Sequence, residues 1–315
     1  MIIGHEKIVN FFDSAIASGN LAHAYCFIGG DQIGKRAVVK YLSAKILGVD
    51  ESKLANYPDY CYLEREIDEK TDKLKKNISI VQTRNLRLRL ANHSWLGGYQ
   101  VAVINEAELL NSESANALLK ILEEPGEKSI FFLLAENEQM LLLTIRSRCQ
   151  QVYFGLVEEE LIFEGLIERG IENDSAKRLA HFAWGRPGRA ISMAEDAELE
   201  NQYVNELQRW QKIIGAPMHL KWQQLNDLFA EKDDTVRRQL RLQKILDIWI
   251  MLWRDVMLVR VDQNIDNEWA REISALSTMD NFSITKLIGV LEETKTLLSQ
   301  NINAQLLFEK ILINI

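Results

Sequence analysis

The chain's 315 residues, 47% hydrophobic and 26% charged, suit two or three ordinary globular domains and exclude a disordered or fibrous polymer. A net charge of −8 excludes a grip on nucleic acid by the whole surface, leaving a local basic patch as the only electrostatic route. No apolar run reaches bilayer length; the nearest, residues 245–259, is broken by Asp247, Arg254 and Asp255.

In chain order, MIIGHEKIVNFF opens without a basic stretch leading into an apolar run, so no secretory signal is expected and the cytoplasm is the expected compartment. Helical spacing then puts Ile8, Phe11, Phe12 and Ala15 on one face. AYCFI (24–28) predicts a strand running straight into GGDQIGK, and residues 35–47 return to helical spacing through Val38, Val39, Leu42 and Ile46. Strands are predicted at 60–63, 99–104 and 129–135, with a helix after Asn111. Residues 64–76 mix charges densely and read as a solvated loop or hairpin. NLRLRLA (85–91) alternates like a strand, but its place in the βα order favours a helix. This alternation implies βαβ units and a mostly parallel sheet.

From about Leu156 the pattern is helical to the end, with helices expected at 156–170 and 174–183. Five of the seven tryptophans (Trp210, Trp222, Trp249, Trp253 and Trp269) fall after residue 205, which predicts a separate helical core there. The expected domains are therefore an α/β domain over 1–155, a small helical domain over 156–205 and an all-helical domain over 206–315. Cys26, Cys61 and Cys149 form no CxxC pair, so neither a disulfide framework nor a sulfur-rich zinc site is expected. Cys26 and Cys61 read as small buried hydrophobes.

Two motifs carry chemistry. Gly29 to Arg36 fits the phosphate-loop pattern GxxxxGK through Gly29, Gly34 and Lys35, between a predicted strand and a predicted helix. Loop amides and the helix N-terminus make an anion nest, and the lysine reaches the outer phosphates. The pattern ends in Arg36 where a hydroxyl would hold magnesium, and arginine has only donors. The strand VAVI ends in Asn105-Glu106, and a phosphate-loop ATPase places an acidic residue where Asn105 stands. Glu106 could act as a base but would lack a well-held metal. Two separate losses of one function point to a site that no longer hydrolyses. A glycine-rich turn without ligand and an ordinary polar strand end are the bland alternatives. ATP binding at Lys35 stays open.

The order HAYCFIGGDQIGK, YQVAVINEAELLNSESANALLKILEEP and LLLTIRSRCQ is similar to AAA+ clamp-loader subunits of bacterial DNA polymerase III. The resemblance extends over nearly the whole chain. It implies a RecA-like AAA+ domain, a helical lid and a helical collar that joins its counterparts in a ring. It also implies that Arg148, in Ser147-Arg148-Cys149, is an arginine finger reaching a neighbour's ATP, a task that suits a permanently charged planar fork. A surface arginine at a helix end is the alternative. Gly185 to Ala190 resembles the lid motif that often bears a nucleotide sensor, with Arg189 the candidate. Asn301, Asn303, Leu306 and Glu309 match the collar tail N-x-N-x-x-L-x-x-E. Asn116 and Lys120 fall in the helix that resembles the family's central one, a purely structural role being the alternative.

The chain departs from the family's motors in three respects. It lacks the four-cysteine module many relatives carry, so no zinc is implied. Ala135-Glu136-Asn137 lacks the threonine used to sense the γ-phosphate, and Arg36 and Asn105 replace the magnesium partners. These select a non-motor subunit that requires no cofactor of its own. The partners implied are gamma/tau-type motors, a delta subunit, the sliding clamp and primer–template DNA. Arg84, and with it Arg87, would contact DNA phosphate, a solvated helix face being the alternative. The rivals are an active gamma/tau-type motor and a P-loop kinase for a small molecule, the latter with no use for Ser147-Arg148-Cys149 or the helical end.

Overall fold

A computed structural model describes residues 2–68, 71–91, 94, 97–126, 128–230, 234–262, 267–298, 300 and 302–315. The chain divides into two compact units, Met1–Glu195 and Asp196–Ile315.

The first unit begins with α1 (Glu6–Ser18), β1 (Ala24–Ile28), α2 (Lys35–Leu47) and β2 (Tyr60–Leu63). A short antiparallel hairpin, β3 (Ile67–Asp68) and β4 (Lys73–Leu74), leads to α3 (Ile80–Ala91). Next come β5 (Gln100–Ile104), α4 (Ser112–Glu123), β6 (Ser129–Ala135), α5 (Leu143–Arg146) and β7 (Gln150–Tyr153). Three helices close the unit: α6 (Glu159–Glu168), α7 (Asn173–Ala183) and α8 (Pro187–Glu195).

Five strands form one parallel sheet in the order β2-β5-β6-β1-β7. Alternate residues feed two cores, as expected of a parallel sheet covered on both faces. Tyr25, Phe27, Val101, Val103 and Phe132 pack with Phe12 of α1 and Val38, Val39 and Leu42 of α2. Cys26, Ile28, Ala102, Ile104 and Phe131 face Leu86 and Leu90 of α3 and Leu118 and Leu122 of α4. Cys26 and Cys61 are buried as expected. Within α1, Phe12 and Ala15 turn inward, whereas Phe11 is 55% exposed, one position beyond the edge of the buried stripe.

α3 decides the ambiguous NLRLRLA segment. Leu86 and Leu90, four apart, are buried and Leu88 between them is exposed, which is the pattern of a helix.

The second unit is entirely helical: α9 (Ala197–Ile213), α10 (Met218–Phe229), α11 (Thr235–Val261), α12 (Glu268–Leu276), α13 (Asn281–Leu298) and α14 (Ala304–Ile313). The expected boundary at 205/206 falls inside α9, all of which belongs to this unit. Long α11 packs against α9, α12 and α13. At its centre Trp210 meets Trp249 and Trp253 edge-on at ring separations of 5.2 and 5.1 Å. Buried Glu206 accepts from Trp249 Nε1 at 2.9 Å and from Arg209 Nε at 3.1 Å. Asn301, first residue of the tail pattern, lies outside the described residues; Asn303 caps α14 by accepting from the Gln305 N–H at 3.0 Å. Among the described residues no helix is long and apolar enough to cross a membrane.

Candidate functional site

In a parallel sheet all strands end at one edge, so the turns after β1, β5 and β6 gather there. The turn after β1 is the glycine-rich loop. Gly34 holds it open at φ 113°, a conformation that side chains resist, and α2 starts at Lys35. Gly29 N–H donates to Ala135 O at 3.1 Å, tying the loop to the end of β6.

Protein groups already engage several of the loop's carbonyls. Lys35 Nζ donates to Gly29 O and, at 3.0 Å, to Gly30 O. His5 Nε2 lies 2.7 Å from Ile33 O, and Gly188 N–H, in the first turn of α8, donates to Gln32 O at 2.8 Å. A Cβ on Gly188 would stand 2.6 Å from that oxygen, so only glycine lets the helix approach so closely. Asp31 Oδ1 accepts from the Gln32 N–H at 2.8 Å, putting a carboxylate on one amide of the nest. Burial pushes the Lys35 ammonium below its usual range, opposed by the nearby carboxylates of Glu136, Glu108 and Asp31.

Arg36 points away from the loop. Its guanidinium bonds Glu64 Oε2 at 3.3 Å and stacks 5.4 Å over the Tyr62 ring. Asn105 follows β5 and donates its N–H to Leu63 O at 2.8 Å. Glu106 follows in a left-handed conformation, φ 54°, with both oxygens taken by Arg65: Nε to Oε2 at 2.8 Å and Nη2 to Oε1 at 2.5 Å. Arg65 corrects the reading of 64–76 as solvated. The segment contains the expected hairpin, but the Arg65 side chain is only 8% exposed. Arg65 comes two residues after β2, which pairs with β5, so strand order sets it opposite Glu106.

Glu108 was also missed from sequence. Its Oε1 accepts from the Glu136 N–H at 3.0 Å, and burial raises its carboxyl above the usual range. Asn137, in the segment without the sensing threonine, uses its side chain to accept from Gln139 N–H at 2.9 Å. The Arg186 guanidinium lies 4.0 Å from where a Gly30 Cβ would stand; Arg189, the sequence candidate, sits in the first turn of α8. Arg84 and Arg87 are exposed on α3, as are Asn116 and Lys120 on α4.

Arg148 is elsewhere. It precedes β7, whose first residue Gln150 pairs with Tyr25 at the beginning of β1, so it belongs to the edge where strands start. Four residues of strand rise separate the Tyr25–Gln150 pair from Gly29, about 13 Å. Its Nη2 donates to Glu123 Oε1 at 2.6 Å and its Nη1 to Thr144 O at 2.9 Å.

The sheet order, the glycine-rich turn entering α2 and the helical lid touching that turn define an AAA+ protein of the P-loop class. More narrowly, the chain belongs to the DNA polymerase III clamp-loader family: the family model described as "DNA polymerase III, delta subunit" matches residues 4–158. Subunit delta' of Pseudomonas aeruginosa is 31% identical over 229 residues, 68% of this chain and 66% of that one. Subunit delta' of Bacillus subtilis is 24% identical, with 98% of this chain and 94% of that one covered. Subunit gamma of Buchnera aphidicola is 26% identical over 305 residues, 90% of this chain and 78% of the relative.

Proposed function

We propose that the chain is a delta-prime-type, non-motor subunit of a bacterial clamp loader. It joins gamma/tau-type motors and a delta subunit, and it lends Arg148 to the ATP of a neighbouring motor as the sliding clamp is released onto primer–template DNA. The helices of the second unit supply the collar.

The position of Arg148 carries this reading. A guanidinium at the edge where the strands start lies at the opposite end of the sheet from its own phosphate loop, which supports a role toward a nucleotide held by another chain. The cradle supports the same reading. Magnesium takes oxygen acceptors. Arg36 offers donors only and is turned to Glu64, Asn105 is neutral, and Glu106 spends both oxygens on Arg65. This set does not fit the ion, so phosphoryl transfer in the chain's own cradle is no part of the proposal.

The test is a reconstituted loader carrying Arg148→Ala. Turnover of ATP should fall on the order of a thousandfold at the site served, with assembly intact by size-exclusion chromatography. Wild-type turnover in an assembled complex would refute the finger.

A second reading, a gamma/tau-type motor, is favoured by the identity with subunit gamma and by the retained Gly34-Lys35 turn. The purified chain separates the two. Under the first reading it shows no magnesium-dependent ATP turnover and Lys35→Ala changes nothing. Under the second, turnover is present and Lys35→Ala abolishes it.

A further inference from the structure

Glu123 holds the guanidinium of Arg148, and the geometry points to a latch that competes with the phosphate of a neighbouring nucleotide. The inference rests on the reading of Arg148 as a finger and adds a second residue to it.

Glu123 is the last residue of α4, and Glu124 follows as its cap. Two carboxylates at the negative end of a helix run against its dipole, so the position is poorly suited to stabilising the helix by itself. The Arg148 cation offsets that charge through the 2.6 Å contact between Nη2 and Glu123 Oε1. Thr144 O at 2.9 Å and Ser147 Oγ at 3.4 Å take Nη1, so the fork is held from two sides by its own chain. The backbone below it is fixed by Arg148 N–H to Ile145 O at 3.1 Å. The start of α4 is anchored too: Asn111 caps it, and Ser114 Oγ donates to Ile78 O at 2.9 Å. The carboxylate is thus carried on a fixed rod.

A guanidinium paired with a carboxylate presents little net charge to an approaching phosphate. To act in trans, Arg148 must exchange Glu123 for the phosphate oxygens. Both side chains remain partly open to water, 34% for Arg148 and 48% for Glu123, so the pair is weak enough to exchange. Glu123 thereby restrains the finger until a closed interface offers a stronger anion. Glu123 is a positioning residue, since it acts only through Arg148.

The experiment measures ATP turnover by the assembled loader, without and with sliding clamp and primed DNA. The complexes contain wild-type chain, Glu123→Gln, Glu123→Ala, Arg148→Ala, or Arg148→Ala combined with Glu123→Gln. Assembly of each is checked by size exclusion. Removing the carboxylate should raise basal turnover about two- to fivefold, the range set by an exposed ion pair. The stimulated kcat should stay within about twofold, because there the phosphate already holds the finger. In the Arg148→Ala background Glu123→Gln should change nothing, which a merely structural role for Glu123 would not predict. An unchanged or lowered basal rate in both Glu123 variants overturns the latch, as does an effect that persists without Arg148. If Arg148→Ala is inactive while the Glu123 variants behave as wild type, only the latch falls. If Arg148→Ala turns over normally, the finger reading falls and takes the latch with it.

Discussion

His5 shows how one side chain can fix a loop that looks designed for a ligand. It adopts a left-handed backbone, φ 61°, and its ring lies between Ile33 O and the Phe154 ring, 4.8 Å away. Burial lowers its pKa below 6.5, outweighing the bond to Ile33. Because the folded value is depressed, its stabilisation is fully present above pH 6.5 and is lost as pH falls through the lower folded value. Thermal unfolding of wild type and His5→Gln at about pH 7.5 and pH 5.5 tests this through linkage. Wild type should lose more of its melting temperature on acidification; equal losses would remove His5 as the source. The same scale contains what sequence reading missed. Arg65 sits in a run of mixed charges where nothing local separates it from its solvated neighbours. Only the pairing of β2 with β5 brings it to Glu106.

Among the elements, α4 links the two ends of the first unit's chemistry. It starts near the end of β5, where Glu106 lies, and ends at Glu123, which holds Arg148. Asn111 accepts from the Ser114 N–H at 2.8 Å and satisfies one of the orphan donors of the first turn. Asn111→Ala should cost about 1 kcal/mol, read as a lower urea midpoint with an unchanged slope. A loss below about 0.3 kcal/mol would mean that water caps the helix equally well. α3 was legible at this scale because Leu86 and Leu90 are four apart. The outward turn of Phe11 was not, since a face drawn from spacing has no sharp edge until its neighbours are in place.

At the scale of the whole molecule, each unit has its own core, so a lesion in one should leave the other standing. Trp210 is fully buried between Trp249 and Trp253. Trp210→Ala should cost about 3–5 kcal/mol. Amide hydrogen exchange should accelerate in α9 and α11 while β1, β5 and β6 keep their protection. Equal acceleration in the sheet would show that the units unfold as one. Of the tryptophans after residue 205, Trp210, Trp249 and Trp253 are buried in the second unit, and the border expected at 205/206 falls inside α9, because a helix that spans a composition change shows no break in spacing.

The sequence by itself determined four of the five strands of the sheet and the alternation of strand and helix, the glycine-rich turn into α2, the presence of Arg36 and Asn105 at the ends of two motifs, and the family. Those are local properties: periodicity, turn chemistry and residue type act over a few positions. Tertiary structure alone decided where Arg36 points, what holds Glu106, that Arg186 nears the loop, and that Arg148 is bound to Glu123. Each of these depends on contacts between residues far apart in sequence, set by strand order and by the reach of long charged side chains, and no spacing along the chain encodes them.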